Sequence, residues 1–88
     1  MNKIMVTYDL CGSNKNYSDL IDCLNGYPVC VKINKSSWLI NTACDCVTVR
    51  DQLCKFIDKD DYLFVAKLTG EAAWHNVEDG HDKVKSAL

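Results

Sequence analysis

Four short segments have the composition of strands, and in the first two apolar and polar residues alternate, the pattern of strands that bury one face. In the first segment Ile4, Val6 and Tyr8 share one face, and the residues between them lie on the other. The fourth segment differs, because its residues are apolar on both faces apart from Lys67. The pattern predicts strands over residues 3–9, 29–33, 37–42 and 62–68.

Two further segments carry apolar residues at helical spacing. The first helix is predicted to end before Gly26, and the second to begin near Val47 with Asp45 or Thr48 as its N-cap. The apolar stripe of the first helix comprises Leu20, Ile21 and Leu24, and that of the second comprises Val49, Leu53, Phe56 and Ile57. A short third helix is predicted near residues 82–88.

The order strand, helix, strand, strand, helix, strand predicts the ferredoxin-like βαββαβ arrangement, an α+β fold. We expect a four-stranded antiparallel sheet with two helices on one face. The length of 88 residues predicts a single domain over 1–88, with a core at 3–68 and a C-terminal extension at 69–88.

The apolar fourth strand predicts a homodimer, because a strand that is apolar on both sides needs cover on both sides. Two helices cover one face only, so a second copy of the chain is the simplest cover for the other. The expected interface residues are Phe64, Ala66, Leu68 and Trp74. The apolar tail at 69–75 is expected to add a strand to the partner's sheet edge.

Charge and cysteine content indicate which classes of protein fit this sequence. Ten basic and twelve acidic residues give a formal charge of −2, whereas polybasic nucleic-acid or membrane-surface binders carry excess positive charge. The N-terminal residues do not resemble a signal peptide, and no apolar stretch approaches membrane-spanning length. Of the six cysteines, Cys23 and Cys54 lie in apolar patterns, where a thiol acts as a small hydrophobe. We therefore expect reduced thiols, a cytoplasmic location and no membrane partner.

The first strand ends in the strongest candidate for chemistry, Tyr8-Asp9, followed by the polar loop 11–16. Across a two-fold axis two Asp9 carboxylates can hold one Mg²⁺, which prefers oxygen ligands, and Lys15 can face phosphate oxygens. Alternatively, Asp9 ends the strand and accepts hydrogen bonds from loop amides. Spacing alone favours this second interpretation, because one carboxylate does not make a metal site.

Other candidate sites are weaker. Cys44-x-Cys46 with Cys54 and two histidines, His75 and His81, has neither the spacing nor the second pair of a structural zinc site, so no zinc is expected. Cys11 is a poor candidate nucleophile, because the neighbouring Asp9 raises the pKa of a thiol.

The two tryptophans, Trp38 and Trp74, can stack on bases of single-stranded nucleic acid. Their apolar neighbours in the sequence favour places in the core or at the dimer interface instead.

Several short motifs, taken together, resemble the small ferredoxin-like CRISPR adaptation proteins, the non-integrase partners of the spacer-integrating nuclease. Residues 6–10 match that family's hydrophobic-Tyr-Asp-hydrophobic first strand, and Ser36-Ser37-Trp38 matches its Ser-x-aromatic motif. Residues 49–53, 60–65 and 70–74 resemble later segments of a Cas-like subgroup. The virulence-associated toxin ribonucleases share the same architecture.

The resemblance implies a homodimer that is a metal-dependent endonuclease in some members and a non-catalytic scaffold in others. It makes Asp9 the catalytic, metal-binding acid for Mg²⁺ or Mn²⁺, acting on RNA or single-stranded DNA, with Lys15 and Ser36 placing the phosphate. The loop after Asp9 departs from the family's basic run, because it carries one charge. A dimeric scaffold that holds or interferes with a defence-system protein, or a nucleotide-binding module, therefore stays an alternative.

Overall fold

The computed structural model describes residues 1–11 and 17–88 and has an α+β fold. Its elements in chain order are β1 (Asn2–Asp9), α1 (Ser18–Asn25), β2 (Val29–Asn34), β3 (Ser37–Thr42), α2 (Cys46–Cys54), β4 (Tyr62–Lys67) and α3 (His81–Ala87). The four strands form one antiparallel sheet in the order β2-β3-β1-β4. This order is compatible with the ferredoxin-like topology that the sequence predicts.

The first face of the sheet carries the main core beneath α1 and α2. Its β1 residues are Ile4, Val6 and Tyr8, which confirms the predicted alternation. The other buried members of this core are Leu20, Leu24, Trp38, Ile40, Val49 and Leu53. The apolar faces of the helices and of the strands therefore pack together in one layer, as the sequence predicts.

The boundaries of α2 follow from its capping interactions. The Thr48 backbone N–H donates to the Asp45 carboxylate at 2.8 Å, so Asp45 is the N-cap. The helix ends at Cys54 rather than near residue 57, because the chain turns there and the Phe56 N–H donates to the Leu53 carbonyl. Phe56 is consequently 38% exposed, so its predicted place on the buried face is wrong.

The second face of the sheet is covered in part by the chain's own C-terminal extension. Helix α3 packs against β2 and β3, and Val84 and Ala87 are buried with Val31 and Leu39. The short third helix is therefore confirmed, and it supplies cover that the sequence argument assigned to a second copy.

The tail crosses the second face before it reaches α3. The Leu68 N–H donates to the Lys3 carbonyl on one side, and the Glu78 and Asp79 N–H groups donate to Ile33 and Lys32 on the other. Residues 69–80 form no strand within their own chain.

Candidate functional site

Asp9 is the last residue of β1 and is exposed on the second face. The strand alternation places it there, because Tyr8 points into the core on the first face. Its cross-strand partner is Tyr62, the first residue of β4. The carboxylate therefore stands at one end of the sheet, beside an exposed aromatic side chain.

On the second face, the surface beside Asp9 is largely apolar. Phe64 and Tyr62 are 64% and 67% exposed, and Met5 is 37% exposed one pair further along the same face. We call Met5, Thr7, Tyr62 and Phe64 the β4 patch. Asp9 and Phe64 line the same depression, of about 370 Å³. The carboxylate and the patch thus form one continuous surface.

Asp61 holds the two described ends of the connection between β1 and α1. Its carboxylate accepts hydrogen bonds from the Cys11 backbone N–H at 2.8 Å and from the Tyr17 hydroxyl at 3.2 Å. It also accepts from the Asp58 N–H at 2.8 Å, closing the turn before β4. Sequence reasoning did not assign this role, although an Asp in a polar turn is a recognised signal for side-chain bonding to backbone amides.

Cys11 lies within this acidic region. Desolvation and the negative charges of Asp9, Asp61 and Asp60 raise the pKa of its thiol. The thiol donates a hydrogen bond to the Asp60 carbonyl at 3.3 Å. Because the thiolate is the nucleophile, this environment disfavours a catalytic role for Cys11, in agreement with the argument from its neighbour Asp9.

Ser36 lies beside the end of β1, and Lys15 lies outside the described residues. The Ser36 carbonyl accepts a hydrogen bond from the Tyr8 N–H at 3.0 Å, one residue from Asp9. Its own N–H donates to the Asn34 side chain at 3.1 Å, which shapes the turn between β2 and β3. The fold therefore places the Ser36 backbone beside Tyr8, the residue that precedes Asp9.

The predicted interface residues fall into two groups. Phe64 is exposed, and Ala66 is half-buried in the same strand. Leu68 and Trp74 pack against the core that α3 covers, and the Trp74 indole N–H donates to His81 Nδ1 at 3.2 Å. Trp74 thus covers its own chain's sheet, and Trp38 is a core residue.

In the described part of the chain, potential metal-ligand side chains lie apart from one another. Among residues 1–11 and 17–88, no three His, Cys, Asp or Glu side chains are placed to hold a metal ion. All six cysteines are free. Asp9 therefore belongs to no such cluster of ligand side chains in the described part of the chain.

No helix in the described ranges is long and apolar enough to cross a membrane. A scan against protein-family models and a search of curated proteins both found no match. The resemblance to CRISPR adaptation proteins accordingly stays a prediction from the motifs.

Proposed function

We propose that this protein is a homodimeric interaction module whose subunits join through the β4 patch. The observation that carries the proposal is the exposure of Phe64 and Tyr62 on a sheet face whose other half is covered by α3. Neighbouring exposed aromatic side chains are typical of interaction surfaces. A partner that covers them removes apolar area from water.

A second copy of the chain suits this surface. The four residues of the patch are uncharged, and the net charge of −2 gives little repulsion between copies. A domain of this size buries only about 60% of the surface that its unfolded chain exposes, so self-association adds substantially to the buried area. The proposed packing is face to face, with the two β4 patches against each other.

The dimer would act as a scaffold for a further protein, such as a component of a defence system. The motif resemblance supports this class, since the family it implies includes non-catalytic members. The acidic balance of the chain also favours a scaffold over an enzyme that grips nucleic acid, because phosphate contacts need basic side chains.

A metal-dependent endonuclease is the second candidate, and the position of Asp9 favours it. Asp9 and Phe64 line one depression, so a two-fold contact through the patch carries an Asp9 from each chain to the interface. Carboxylate oxygens suit Mg²⁺ or Mn²⁺, and such an ion would supply a Lewis acid and an activated water for phosphodiester cleavage. RNA and single-stranded DNA are the proposed substrates.

Sedimentation velocity tests the dimer. We expect wild type to sediment as a dimer at micromolar concentration and Phe64→Ser to sediment as a monomer. Phe56→Ser is the matched control, because Phe56 is also an exposed phenylalanine but lies after α2. A monomeric wild type, or equal dissociation of both variants, contradicts the proposed interface.

Cleavage of labelled RNA and single-stranded DNA separates the two candidates. An endonuclease requires Mg²⁺ or Mn²⁺, stops with chelator, and loses activity in Asp9→Asn but keeps it in Asp60→Asn. Loss of activity in Phe64→Ser as well would tie the chemistry to the dimer. A pure wild-type dimer that cleaves neither substrate leaves the scaffold as the function.

A further inference from the structure

The largely apolar space between the tail and the second sheet face is a cavity of about 170 Å³. Its floor includes Met5 of β1, Ile33 of β2 and Leu39 of β3, and one wall is Val84 of α3. Trp74 and its neighbours in the tail form the outer side. We call residues 69–77 the strap. All walls therefore come from a single chain.

We propose that this cavity binds a small uncharged apolar molecule, of the size of benzene or indole. Every lining residue has an apolar side chain. The cavity is partly open to solvent, since Ala72 and Ala73 in its lining are exposed and Met5 is 37% exposed. In another protein, a cavity of roughly 150 Å³ lined by aliphatic and aromatic side chains stays dry and binds benzene. The volume and lining here match that class of ligand.

The volume of about 170 Å³ suits a compact ring better than a larger occupant. A compact ring fills the space while leaving no polar group unpaired, so the small apolar molecule is the occupant that the chemistry favours.

The strap provides a route into the cavity. Backbone hydrogen bonds fasten the chain at Leu68 and again at Glu78. Between these points, no backbone hydrogen bond joins residues 69–76 to any other part of the chain that the structure describes. Gly70 and Asn76 have positive φ angles of 119° and 55° near the two ends of the strap. The strap is thus held over the cavity by side chains, which can separate without breaking the sheet.

The Trp74 side chain makes the main contacts that hold the strap against α3. Its ring centroid lies 5.4 Å from that of His81, and its indole N–H donates to the His81 ring. A ligand beneath the strap would contact the indole and change its environment. Trp38 lies in the opposite core, so it serves as an internal reference in the same molecule.

Methyl NMR with benzene and with indole as separate probes tests the site in the full chain. We expect saturable shifts of the Leu39, Val77 and Val84 methyl groups and of the Trp74 indole N–H. The Val49 and Leu53 methyl groups and the Trp38 indole, which lie in the first-face core, should not move. Absence of saturable shifts with both probes overturns the proposal.

Two variants give the test its controls. Ala73→Leu places a larger side chain in the cavity lining and should weaken binding by about tenfold or more, since even one misfitted methylene has an effect of that order in an apolar pocket. Ala43→Leu, at an exposed position outside the cavity, should leave the affinity unchanged. Equal affinity of Ala73→Leu and wild type contradicts the assigned site.

The inference does not depend on the proposed dimer, although Met5 belongs to both surfaces. Binding should persist in Phe64→Ser, whose cavity walls are intact. If the shifts instead concentrate on the β4 patch and vanish in Phe64→Ser, the probe occupies the proposed interface and the cavity site is wrong.

Discussion

Asp9 and Tyr62 stand opposite each other across β1 and β4, at the end of the sheet where Phe64 is exposed. This pairing places the candidate acid beside the β4 patch on the second face. Any partner that covers Tyr62 therefore also approaches the Asp9 carboxylate. The proposed dimer contact and the proposed chemistry at Asp9 therefore use the same surface.

The buried hydrogen bond from the Trp38 indole N–H to the Tyr8 hydroxyl, 2.9 Å long, should contribute to stability. Tyr8→Phe removes the acceptor and leaves a buried donor unpaired, so we expect a loss of about 1–3 kcal/mol in the free energy of unfolding. Urea denaturation measures the loss. Tyr62→Phe at the exposed end of β4 should change stability by less than about 0.5 kcal/mol; equal effects would contradict this account.

Asp61→Ala should destabilise the protein far more than Asp60→Ala. The Asp61 carboxylate accepts three hydrogen bonds, from Cys11, Tyr17 and Asp58. Hydrogen bonds to a charged group contribute about 1.5–3 kcal/mol, so a loss of that order is expected from thermal or urea unfolding. A loss no larger than that of the exposed Asp60 variant would show that these bonds do not stabilise the fold.

The stabilising contribution of the Asp45 carboxylate should depend on pH in the acid range. Hydrogen bonds from Thr48 lower the pKa of its carboxyl in the folded state. The stabilisation is therefore complete above the unfolded pKa and is lost as pH falls through the lower folded pKa. Asp45→Asn keeps a capping side chain but cannot titrate.

Urea unfolding at a series of pH values compares the two proteins. The stability advantage of wild type over Asp45→Asn should shrink between about pH 5 and pH 2. A constant difference across that range would mean that the Asp45 charge does not stabilise α2.

The two exposed cysteines, Cys11 and Cys54, should differ in reactivity. The pKa of the Cys11 thiol is raised, chiefly by desolvation and then by nearby acids, so less thiolate is present near neutral pH. Iodoacetamide labelling followed by mass spectrometry should modify Cys54 first. Faster labelling of Cys11 would reopen its role as a nucleophile.

Gly80→Ala should loosen α3 from the sheet. Gly80 precedes this helix with φ 98° and ψ 159°, a region that side chains strongly disfavour. Forcing alanine there costs about 1–3 kcal/mol, which urea unfolding can detect. Ser86→Ala, on an exposed position of the same helix, is the control and should be close to neutral. A neutral Gly80→Ala would mean that the turn relaxes without strain.

Much of the fold follows from local pattern. The predicted strand over residues 37–42 coincides with β3, and the alternation of Ile4, Val6 and Tyr8 places the core face of β1 correctly. These predictions succeed because the side-chain period of a strand or helix is set by backbone geometry. Phe56 shows the limit, since the apolar spacing continues past the residue where α2 ends.

The candidate site likewise has features that the sequence predicts and features that only the fold creates. Asp9 at the end of a strand is visible in the sequence, whereas the three hydrogen bonds of Asp61 depend on residues as far apart as Cys11 and Asp58. The bonds from Cys11 and Tyr17 form only after the sheet brings β1 and β4 together.

The sequence by itself determined which residues share a face, because periodicity is a local property of the backbone. It did not determine what covers the second face of the sheet. Tertiary structure decided that α3 and the strap cover the half formed by β2 and β3, leaving Phe64 in solvent and an apolar cavity beneath the strap. The reason is that the hydrophobic effect is non-directional. An apolar face is stabilised by any apolar cover, so the segment that covers it depends on the path of the rest of the chain.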